Sequence, residues 1–381
     1  MNKRVAIFTT HLIQYQIPLF KKLAKIIDLH VFFGSKQGLS SYHDKDFNKQ
    51  IKWNIPLIKG YKYSILKNSN KISLDSFFFN SSGIKEAIKK NFDKVIILGW
   101  NNIFYLKTFF WCLYYSSEII IRSENNLYKK QPLFKKILKE IILRIFFKFI
   151  NSFISIGSLN EEFYKYYGVK KNKIFRAPYS IDDNFFKKNI VRNKQKWKKN
   201  NNISNQAKIF LFVGKLIKRK RVLDLIKVAQ SKKLNNNSYF LIIGDGPLKK
   251  KLLQKINNLK LNNISILGFK SQNQLRFYYS LADVLILPSE YETWGLVINE
   301  AMSSGVPCIV SDSCGAAKDM IIKYKTGFQY KNGNINQLIK LINLIINNKD
   351  ILFDLKKNTF LYSRKFSLNK TVEGFLNAIN S

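Results

Sequence analysis

The chain has 381 residues, and its 65 Lys and Arg against 24 Asp and Glu give a formal net charge of +41 at pH 7. This length accommodates two domains with separate cores, and the 46% of hydrophobic residues is normal for a folded protein. No apolar run reaches the roughly 18 residues that cross a bilayer, which argues against a membrane-spanning helix. The excess of cations favours an anionic partner, such as lipid, nucleic acid or a phosphate-bearing substrate.

The first half of the chain predicts a parallel sheet with polar residues at its strand ends. Residues 4–10 are interpreted as the first strand, and the turn that follows has no glycine, so this turn is not expected to hold a diphosphate. His11 lies in that turn, where a packed side chain and a contact with a second substrate both stay open. Strands predicted at 95–98 and 119–122 also end in polar residues, among them Glu124, which should line the floor of a cleft.

Few residues in this sequence are suited to a metal site. The Asp-x-Asp at residues 44–46 lies among charges with no strand before it, so it is interpreted as a solvated loop. The three histidines make a His-rich site unexpected, and the three cysteines form no Cys-x-x-Cys pair, which is typical of a reducing compartment. No metal ligand is predicted.

Residues 132–154 form a basic amphipathic pattern, in which apolar residues recur every three or four positions with lysine and arginine between them. A core helix with one wet face and a helix lying in a membrane interface both fit this pattern. Anionic lipid would attract the second kind by about 1 kcal/mol per basic residue. The aromatic helix predicted at 103–115 adds further apolar surface.

After a Lys- and Asn-rich stretch at 187–206, interpreted as an exposed linker, the second half begins with a strand at 208–213. Gly214 and Lys215 follow it directly, and Lys220 precedes a helix predicted at 222–230. A glycine and cations between a strand and a helix are typical of an anion site, although a solvated basic loop is the alternative.

Two further strands of the second half end in glycine-containing turns. The strand predicted at 239–243 is followed by Gly244 and Gly246, and Pro247 suits the opening of a helix. The strand predicted at 264–267 is followed shortly by Lys270.

The stretch from Leu281 to Asp312 is the most informative part of the chain. Its residues predict a strand at 284–287, a polar loop, a helix at 296–304 and a second strand at 308–310. Glu292 lies in the loop and Glu300 inside the helix, and seven residues separate the two carboxylates. Because a helix rises about 1.5 Å per residue, a ligand has room to lie between them.

Residues 292–309 resemble the E-x7-E signature of retaining GT-B glycosyltransferases of family 4, whose usual form is E-G-F-G-L-x-x-x-E-A-M-A-x-G-x-P-V-V. Both acids, two of the three glycines (Gly295 and Gly305) and the proline match. The chain departs at Thr293, where the family prefers glycine, and at Trp294, where it prefers phenylalanine. Residues 214–221 are similar to the family's G-R-L-x-x-x-K-G, with Lys215 at the arginine position and Lys220 at the lysine position.

The resemblance implies an α/β protein of the GT-B class, with two facing Rossmann-like domains built on parallel sheets. Residues 1–182 would bind the acceptor and residues 183–365 the nucleotide sugar. A C-terminal helix, residues 366–381, would cross back to the first domain.

The resemblance also implies roles for individual residues. Glu300 would accept hydrogen bonds from the ribose hydroxyls and Glu292 from the donor sugar, while Lys215 and Lys220 would neutralise the diphosphate in place of a metal. Glu124 is the acceptor-side candidate. The other residues implied in donor binding are Gly214, Gly244, Gly246, Lys270, Gly295 and Leu296.

The implied function is transfer of a sugar from a nucleotide sugar to a hydroxyl of a glycan or lipid-linked acceptor, with retention, in cell-surface polysaccharide synthesis. No cofactor is expected besides the donor. The implied location is the cytoplasm, peripheral on the inner face of an anionic membrane. The alternatives are an inactive sugar-nucleotide-binding subunit and a basic nucleic-acid-binding protein, although no RRM, KH, helix-turn-helix or zinc-finger pattern supports the latter.

Overall fold

The structure is a computed structural model that describes residues 3–44, 49–51, 56–67, 73–74, 76–128, 132–187 and 194–381. The chain divides into two compact units. The first is built from Met1–His43, Gln50–Ser180 and Leu368–Ser381, and the second from Asp44–Lys49 and Ile181–Ser367.

The first unit is a seven-stranded sheet in the order β5-β2-β1-β6-β7-β8-β9, and every neighbouring pair is parallel. Its strands are β1 (Arg4–Thr9), β2 (Asp28–Phe33), β5 (Lys62–Ile65), β6 (Lys94–Ile97), β7 (Glu118–Arg122), β8 (Ser152–Ser155) and β9 (Ile174–Arg176). A separate pair of short strands consists of β3 (Tyr42–Asp44) and β4 (Lys49–Ile51).

Helices cover both faces of this sheet, so the interiors of its central strands are buried on both sides and are rich in Val, Ile and Phe. These helices are α1 (Ile17–Leu23), α2 (Ile84–Ile88), α3 (Ile103–Tyr114), α4 (Leu133–Lys148), α5 (Ser158–Tyr166) and α15 (Leu368–Asn380). Local signals set several of their ends. Pro18 lies in the first turn of α1, and the Asn102 side chain accepts a hydrogen bond from the Tyr105 backbone N–H at the start of α3.

The second unit repeats this plan with six parallel strands in the order β12-β11-β10-β13-β14-β15. The strands are β10 (Lys208–Val213), β11 (Ser238–Ile243), β12 (Ile264–Ile266), β13 (Val284–Leu287), β14 (Cys308–Ser311) and β15 (Gly327–Tyr330). The helices are α6 (Asp183–Lys187), α7 (Lys194–Asn200), α8 (Leu223–Ala229), α9 (Lys249–Asn258), α10 (Gln272–Leu281), α11 (Leu296–Ser303), α12 (Ala317–Met320), α13 (Ile335–Asn347) and α14 (Lys349–Ser363).

Each sheet has one point where the strand order reverses, and this point determines where a ligand can bind. In the first unit it lies between β1 and β6, and in the second between β10 and β13. Loops leave these neighbouring strands toward opposite faces of the sheet and open a crevice at the carboxyl edge. The loops after β10 and β13 carry the predicted cations and Glu292.

The C-terminal helix α15 belongs to the first unit, as the resemblance implied. It packs so closely on the end of β9 that a Cβ on Gly374 would lie 2.1 Å from the carbonyl oxygen of Arg176. The Thr371 hydroxyl also donates to the Pro178 carbonyl at 2.7 Å. Glycine is therefore required where helix and strand meet.

Two expectations about elements are wrong. The helix predicted at 132–154 is too long, because α4 ends at Lys148. Residues 152–155 form β8, in agreement with the strand that the apolar run from Phe153 also predicts. The stretch at 187–206 is not all linker, since residues 194–200 form α7. Lys198 on that helix is buried and donates to the backbone carbonyls of Asn205 and Ala207. Residues 188–193 lie outside the described part of the chain.

No helix in the described ranges is both long enough and apolar enough to cross a membrane.

A buried acid holds several elements of the second unit together. The Asp283 side chain is 5% exposed and accepts hydrogen bonds from Lys194 at 2.7 Å, Lys356 at 2.8 Å and the Ile209 backbone N–H at 2.9 Å. Burial alone would raise its pKa, but Lys356 and Lys194 hold the pKa of Asp283 well below its ordinary value. Ionised Asp283 therefore joins α7, α14 and the start of β10.

We expect Asp283→Asn to lower the free energy of unfolding at pH 7 by about 2–3 kcal/mol, because two lysines lose their shared counterion while keeping partial access to water. The pKa of Asp283 in the folded protein lies below its unfolded value of about 3.9. The stabilisation by ionised Asp283 is therefore fully present above that pH and is lost as the pH falls further. Urea unfolding at pH 7 and pH 3 should therefore show a difference between wild type and variant that shrinks in acid. Asp354→Asn, on an exposed position of α14, is the matched control and should change stability by less than about 0.5 kcal/mol.

Candidate functional site

The site is assembled at the point of the second unit where β10 and β13 lie side by side. Gly214 directly follows β10 and Gly244 directly follows β11. Gly244 has φ +153°, and a Cβ on it would lie 1.8 Å from the carbonyl oxygen of Gly214. Only glycine permits the two turns to approach so closely, and this contact fixes the backbone from which Lys215 and Lys220 project.

Lys220 and Glu292 form an ion pair across the two loops, with Lys220 Nζ donating to Glu292 Oε1. The side chains are 12% and 8% exposed. The Lys220 side chain also lies beside Gly214, since a Cβ built on that glycine would be 3.8 Å from Lys220 Cε. The structure thus brings together three residues that the sequence proposed separately.

Further hydrogen bonds hold Glu292 in position. The Ser289 hydroxyl donates to Glu292 Oε1 at 2.8 Å, and the backbone N–H of Gly315 donates to the Glu292 carbonyl at 3.1 Å. Gly315 has no room for a side chain, because a Cβ there would lie 1.9 Å from the Thr293 carbonyl oxygen. Burial raises the pKa of the neighbouring Cys314 to about 12, so its thiol stays protonated and is not a nucleophile.

Arg219, which the sequence analysis does not single out within the basic run at 214–221, is also part of the site. Its guanidinium donates to the Tyr291 carbonyl at 3.0 Å and lies 3.6 Å from Glu292 Oε2, while its own carbonyl accepts the Glu290 N–H at 2.8 Å. The side chain is 45% exposed, so a second cation remains partly accessible. Arg221, the next cation of the run, pairs instead with the buried Asp224 at 2.6 Å.

Glu300 lies inside α11 and is 1% exposed. The buried Tyr279 hydroxyl donates to its Oε2 at 2.7 Å, a partner that the sequence analysis did not identify. Gly295, at φ +103°, precedes the helix in the left-handed conformation, and the half-buried Leu296 is its first residue. This turn is why the family signature needs glycine here.

The remaining candidates of the second unit occupy neighbouring strand ends. Lys215 is half-buried directly after β10. Gly246, at φ +150°, follows Asp245, whose carboxylate contacts Lys249 at 3.0 Å. Lys270 is half-buried with its ammonium 5.7 Å from the centre of the Tyr278 ring.

Glu124, the acceptor-side candidate, belongs to the first unit. It is exposed after β7 and accepts a hydrogen bond from the Tyr179 hydroxyl. Arg122, buried at the end of the same strand, stacks 4.5 Å from the centre of the Tyr179 ring, and burial lowers its pKa to about 10. His11 is half-buried, with Nδ1 2.9 Å from the Thr10 hydroxyl.

Within the described residues, no group of three or more His, Cys, Asp or Glu could hold a metal ion. Of the Asp-x-Asp at residues 44–46, Lys45 and Asp46 lie outside those residues.

Comparison with known proteins supports the family resemblance. Residues 193–362 match the family model for glycosyl transferases group 1. N-acetyl-alpha-D-glucosaminyl L-malate synthase of Bacillus anthracis is 31% identical over 168 residues, which are 44% of this chain and 42% of that protein. An undecaprenol-diphosphate-dependent alpha-1,4-N-acetyl-D-galactosaminyltransferase of Campylobacter jejuni is 25% identical over 269 residues, covering 68% of this chain and 67% of that protein.

The alignments with several curated relatives span only 31% to 48% of those relatives' own lengths. Among solved structures, Anabaena HepE in complex with UDP superposes with a TM-score of 0.76 at 14% identity and covers 99% of both chains. This likeness confirms the predicted GT-B fold.

We expect Gly244→Ala to lower the free energy of unfolding by about 3 kcal/mol or more, because the new Cβ collides with backbone and the φ angle disfavours any side chain. Gly305→Ala is the matched control. Gly305 also has positive φ, at +74°, but a Cβ there has no neighbour closer than 4.0 Å, so the cost should be about 1–2 kcal/mol. Equal losses in urea unfolding would contradict the close approach of the two turns.

Proposed function

We propose that this chain, whose residues 193–362 match the family model for glycosyl transferases group 1, is a retaining glycosyltransferase that uses a nucleotide sugar. The observation that carries the proposal is the buried Lys220–Glu292 pair at the point where the strand order of the second sheet reverses. A cation held beside an accessible crevice is suited to a phosphate group, and a neighbouring carboxylate is suited to sugar hydroxyls.

The cations of this site act on the leaving group. As the bond between the sugar carbon C1 and the diphosphate oxygen breaks, negative charge develops on that oxygen. Lys220 and Lys215 stabilise this charge. Arg219, which is partly exposed beside Glu292, adds a third positive charge near the leaving group. These fixed positive charges serve in place of a metal ion. The lysine at position 215 supplies a point charge without the bidentate geometry of the arginine that the family prefers.

The two carboxylates bind different parts of the donor. Glu292 accepts hydrogen bonds from donor-sugar hydroxyls when the phosphate draws Lys220 away from it. Glu300 accepts hydrogen bonds from the ribose. Lys270 lies after β12 and contacts the base. The turns at Gly214, Gly244, Gly246 and Gly295, with Leu296, let the backbone approach the nucleotide.

The transfer forms one bond and breaks another. The acceptor hydroxyl oxygen bonds to C1 of the sugar, the C1–O bond to the diphosphate breaks, and the hydroxyl proton passes to the leaving diphosphate. We assign neither Glu292 nor Glu300 as a nucleophile. On the first unit, exposed Glu124 is the residue we propose for contact with the acceptor.

We propose a glycan or lipid-linked acceptor and a cytoplasmic location peripheral to the inner face of the membrane. The undecaprenol-diphosphate acceptor named for the Campylobacter jejuni relative supports this class of acceptor. The net charge of +41 supports attraction to an anionic surface.

We expect Lys220→Ala to lower kcat/KM, because one fixed donor to the leaving diphosphate is lost. The loss should correspond to about 2–4 kcal/mol of transition-state stabilisation. Lys227→Ala is the control, since the Lys227 side chain is 61% exposed on α8, and it should leave kcat/KM within about twofold. An unchanged kcat/KM in Lys220→Ala would refute the role assigned to that lysine.

The choice of donor is tested by thermal unfolding with UDP-, GDP- and ADP-sugars, because a ligand that binds only the folded protein raises the melting temperature. We expect one nucleotide series to stabilise the protein, and the stabilising donor to be consumed when lipid-linked acceptors are supplied. Stabilisation without turnover across the acceptor panel would instead favour an inactive sugar-nucleotide-binding subunit.

A further inference from the structure

Helix α4 presents an unusually apolar face to solvent. Among its residues, only Leu143 and Phe147 are buried. The large apolar side chains that are 48% to 77% exposed on it are Leu133, Phe134, Ile137, Leu138, Ile141, Ile142 and Ile145. Contiguous apolar surface of this kind marks a place where a protein or a membrane binds.

These side chains form one continuous face. At 100° per residue they occupy about half of the helix circumference, opposite Leu143 and Phe147. Lys135 and Lys139 lie beside one border of this apolar face, Arg144 lies near the other border, and Lys148 lies at the C-terminal end of the helix. A broad apolar face flanked by basic residues is the pattern of a helix that lies in a membrane interface, where long basic side chains reach the headgroups.

Charge decides which partner fits this face. Helix α4 carries five cations, Lys135, Lys136, Lys139, Arg144 and Lys148, against the single acid Glu140, which pairs with Arg144 at 2.9 Å. A second copy of the chain would bring like charges together, which opposes association, whereas anionic headgroups complement them. At 16 residues the helix is about 24 Å long, too short and too charged to span a bilayer core of about 30 Å.

The neighbouring helix α3 extends this surface. The two helices pack together through Phe109 and Phe146, whose ring centres are 4.6 Å apart. On α3, Phe110 is 62% exposed and Tyr114 is 72% exposed. Aromatic side chains at such positions suit the headgroup region, where one end is apolar and the other is wet.

The topology fixes which end of α4 matters. The chain leaves β7 at its carboxyl end and enters α4 at Leu133, so the N-terminal end of α4 lies at the carboxyl edge of the first sheet. Leu133 and Phe134, at 73% and 77%, are the most exposed apolar side chains of the helix. The same edge carries Glu124.

We propose that α4 lies in the plane of an anionic membrane leaflet, with its apolar face among the acyl chains and its N-terminal end inserted beside the carboxyl edge of the first sheet. A membrane-anchored acceptor therefore reaches Glu124 from the lipid surface at this end of α4. This second statement rests on the proposed function, whereas the attachment itself does not.

Sedimentation with vesicles tests the attachment. The wild-type protein should bind vesicles of 30% phosphatidylglycerol in phosphatidylcholine and bind pure phosphatidylcholine much more weakly. Ile137→Glu with Ile141→Glu should weaken binding about a hundredfold, because two apolar contacts with the acyl region are lost. Both positions are exposed, so folding should be unchanged by circular dichroism.

Phe353→Glu is the matched control, because Phe353 is 68% exposed on α14 of the second unit, and it should bind the same vesicles as wild type does. Wild-type protein that binds neither vesicle, or an Ile137→Glu/Ile141→Glu variant that binds like wild type, overturns the proposal. A wild-type dimer that this variant dissociates, without vesicle binding, would assign the face to a second copy instead.

Insertion of the N-terminal end is tested separately with an environment-sensitive fluorophore on a single introduced thiol. The three native cysteines are buried, so Phe134→Cys provides the accessible thiol. Its label should shift to the blue when anionic vesicles are added, and a label on Phe353→Cys should not. The absence of a shift at position 134 contradicts the orientation. Thermal unfolding with the nucleotide-sugar panel tests the proposed function without vesicles, so that function can fail or stand independently of these results.

Discussion

The contact on which the site depends is the buried ion pair between Lys220 and Glu292. Both side chains have lost most of their water, so each would be costly to bury without the other. Ser289 and Arg219 contact the same carboxylate and hold it in one position. Before a ligand arrives, the pair holds the Lys220 side chain in one position at the carboxyl edge of the sheet. In the reaction that we propose, a phosphate group takes the place of Glu292 as the partner of Lys220 and frees the carboxylate for sugar hydroxyls.

This pair exists because of strand order, not because of closeness in sequence. Seventy-two positions separate the two residues. Strands β10 and β13 are hydrogen-bonded neighbours, and their following loops meet at the carboxyl edge of the sheet. The close contact between Gly214 and Gly244 fixes the position of the loop after β10. The close contact between Gly315 and Thr293 fixes the position of the loop after β13. Glycines are therefore required where these loops pack against neighbouring backbone.

Much of this arrangement could be predicted from the sequence, because buried parallel strands are short apolar runs that end in polar turns. The strands at 208–213 and 284–287 were found with their observed bounds. Other elements gave no such signal. Strand β5 has no fully buried residue, and α7 consists largely of lysine and asparagine, so neither stands out as an apolar pattern. The predicted helix extends beyond the end of α4 because the helical spacing of apolar residues continues into residues 152–154, which form part of β8.

The site was predictable only in part for a similar reason. Glu292, Glu300 and Lys220 occupy positions of known signatures, but their partners are set by tertiary packing. Tyr279 reaches Glu300 from another helix, and Arg219 lies in a basic run where sequence does not distinguish one cation from the next.

The central claim is that Lys220 and its neighbours hold the diphosphate of a nucleotide. The most direct measurement is calorimetric titration with the nucleoside, its monophosphate and its diphosphate, using the base that stabilises the protein. Affinity that rises by about tenfold or more from monophosphate to diphosphate, and weakens with salt, is the result we predict. Equal affinity for all three compounds would contradict the account, because binding would then depend on the base and ribose alone.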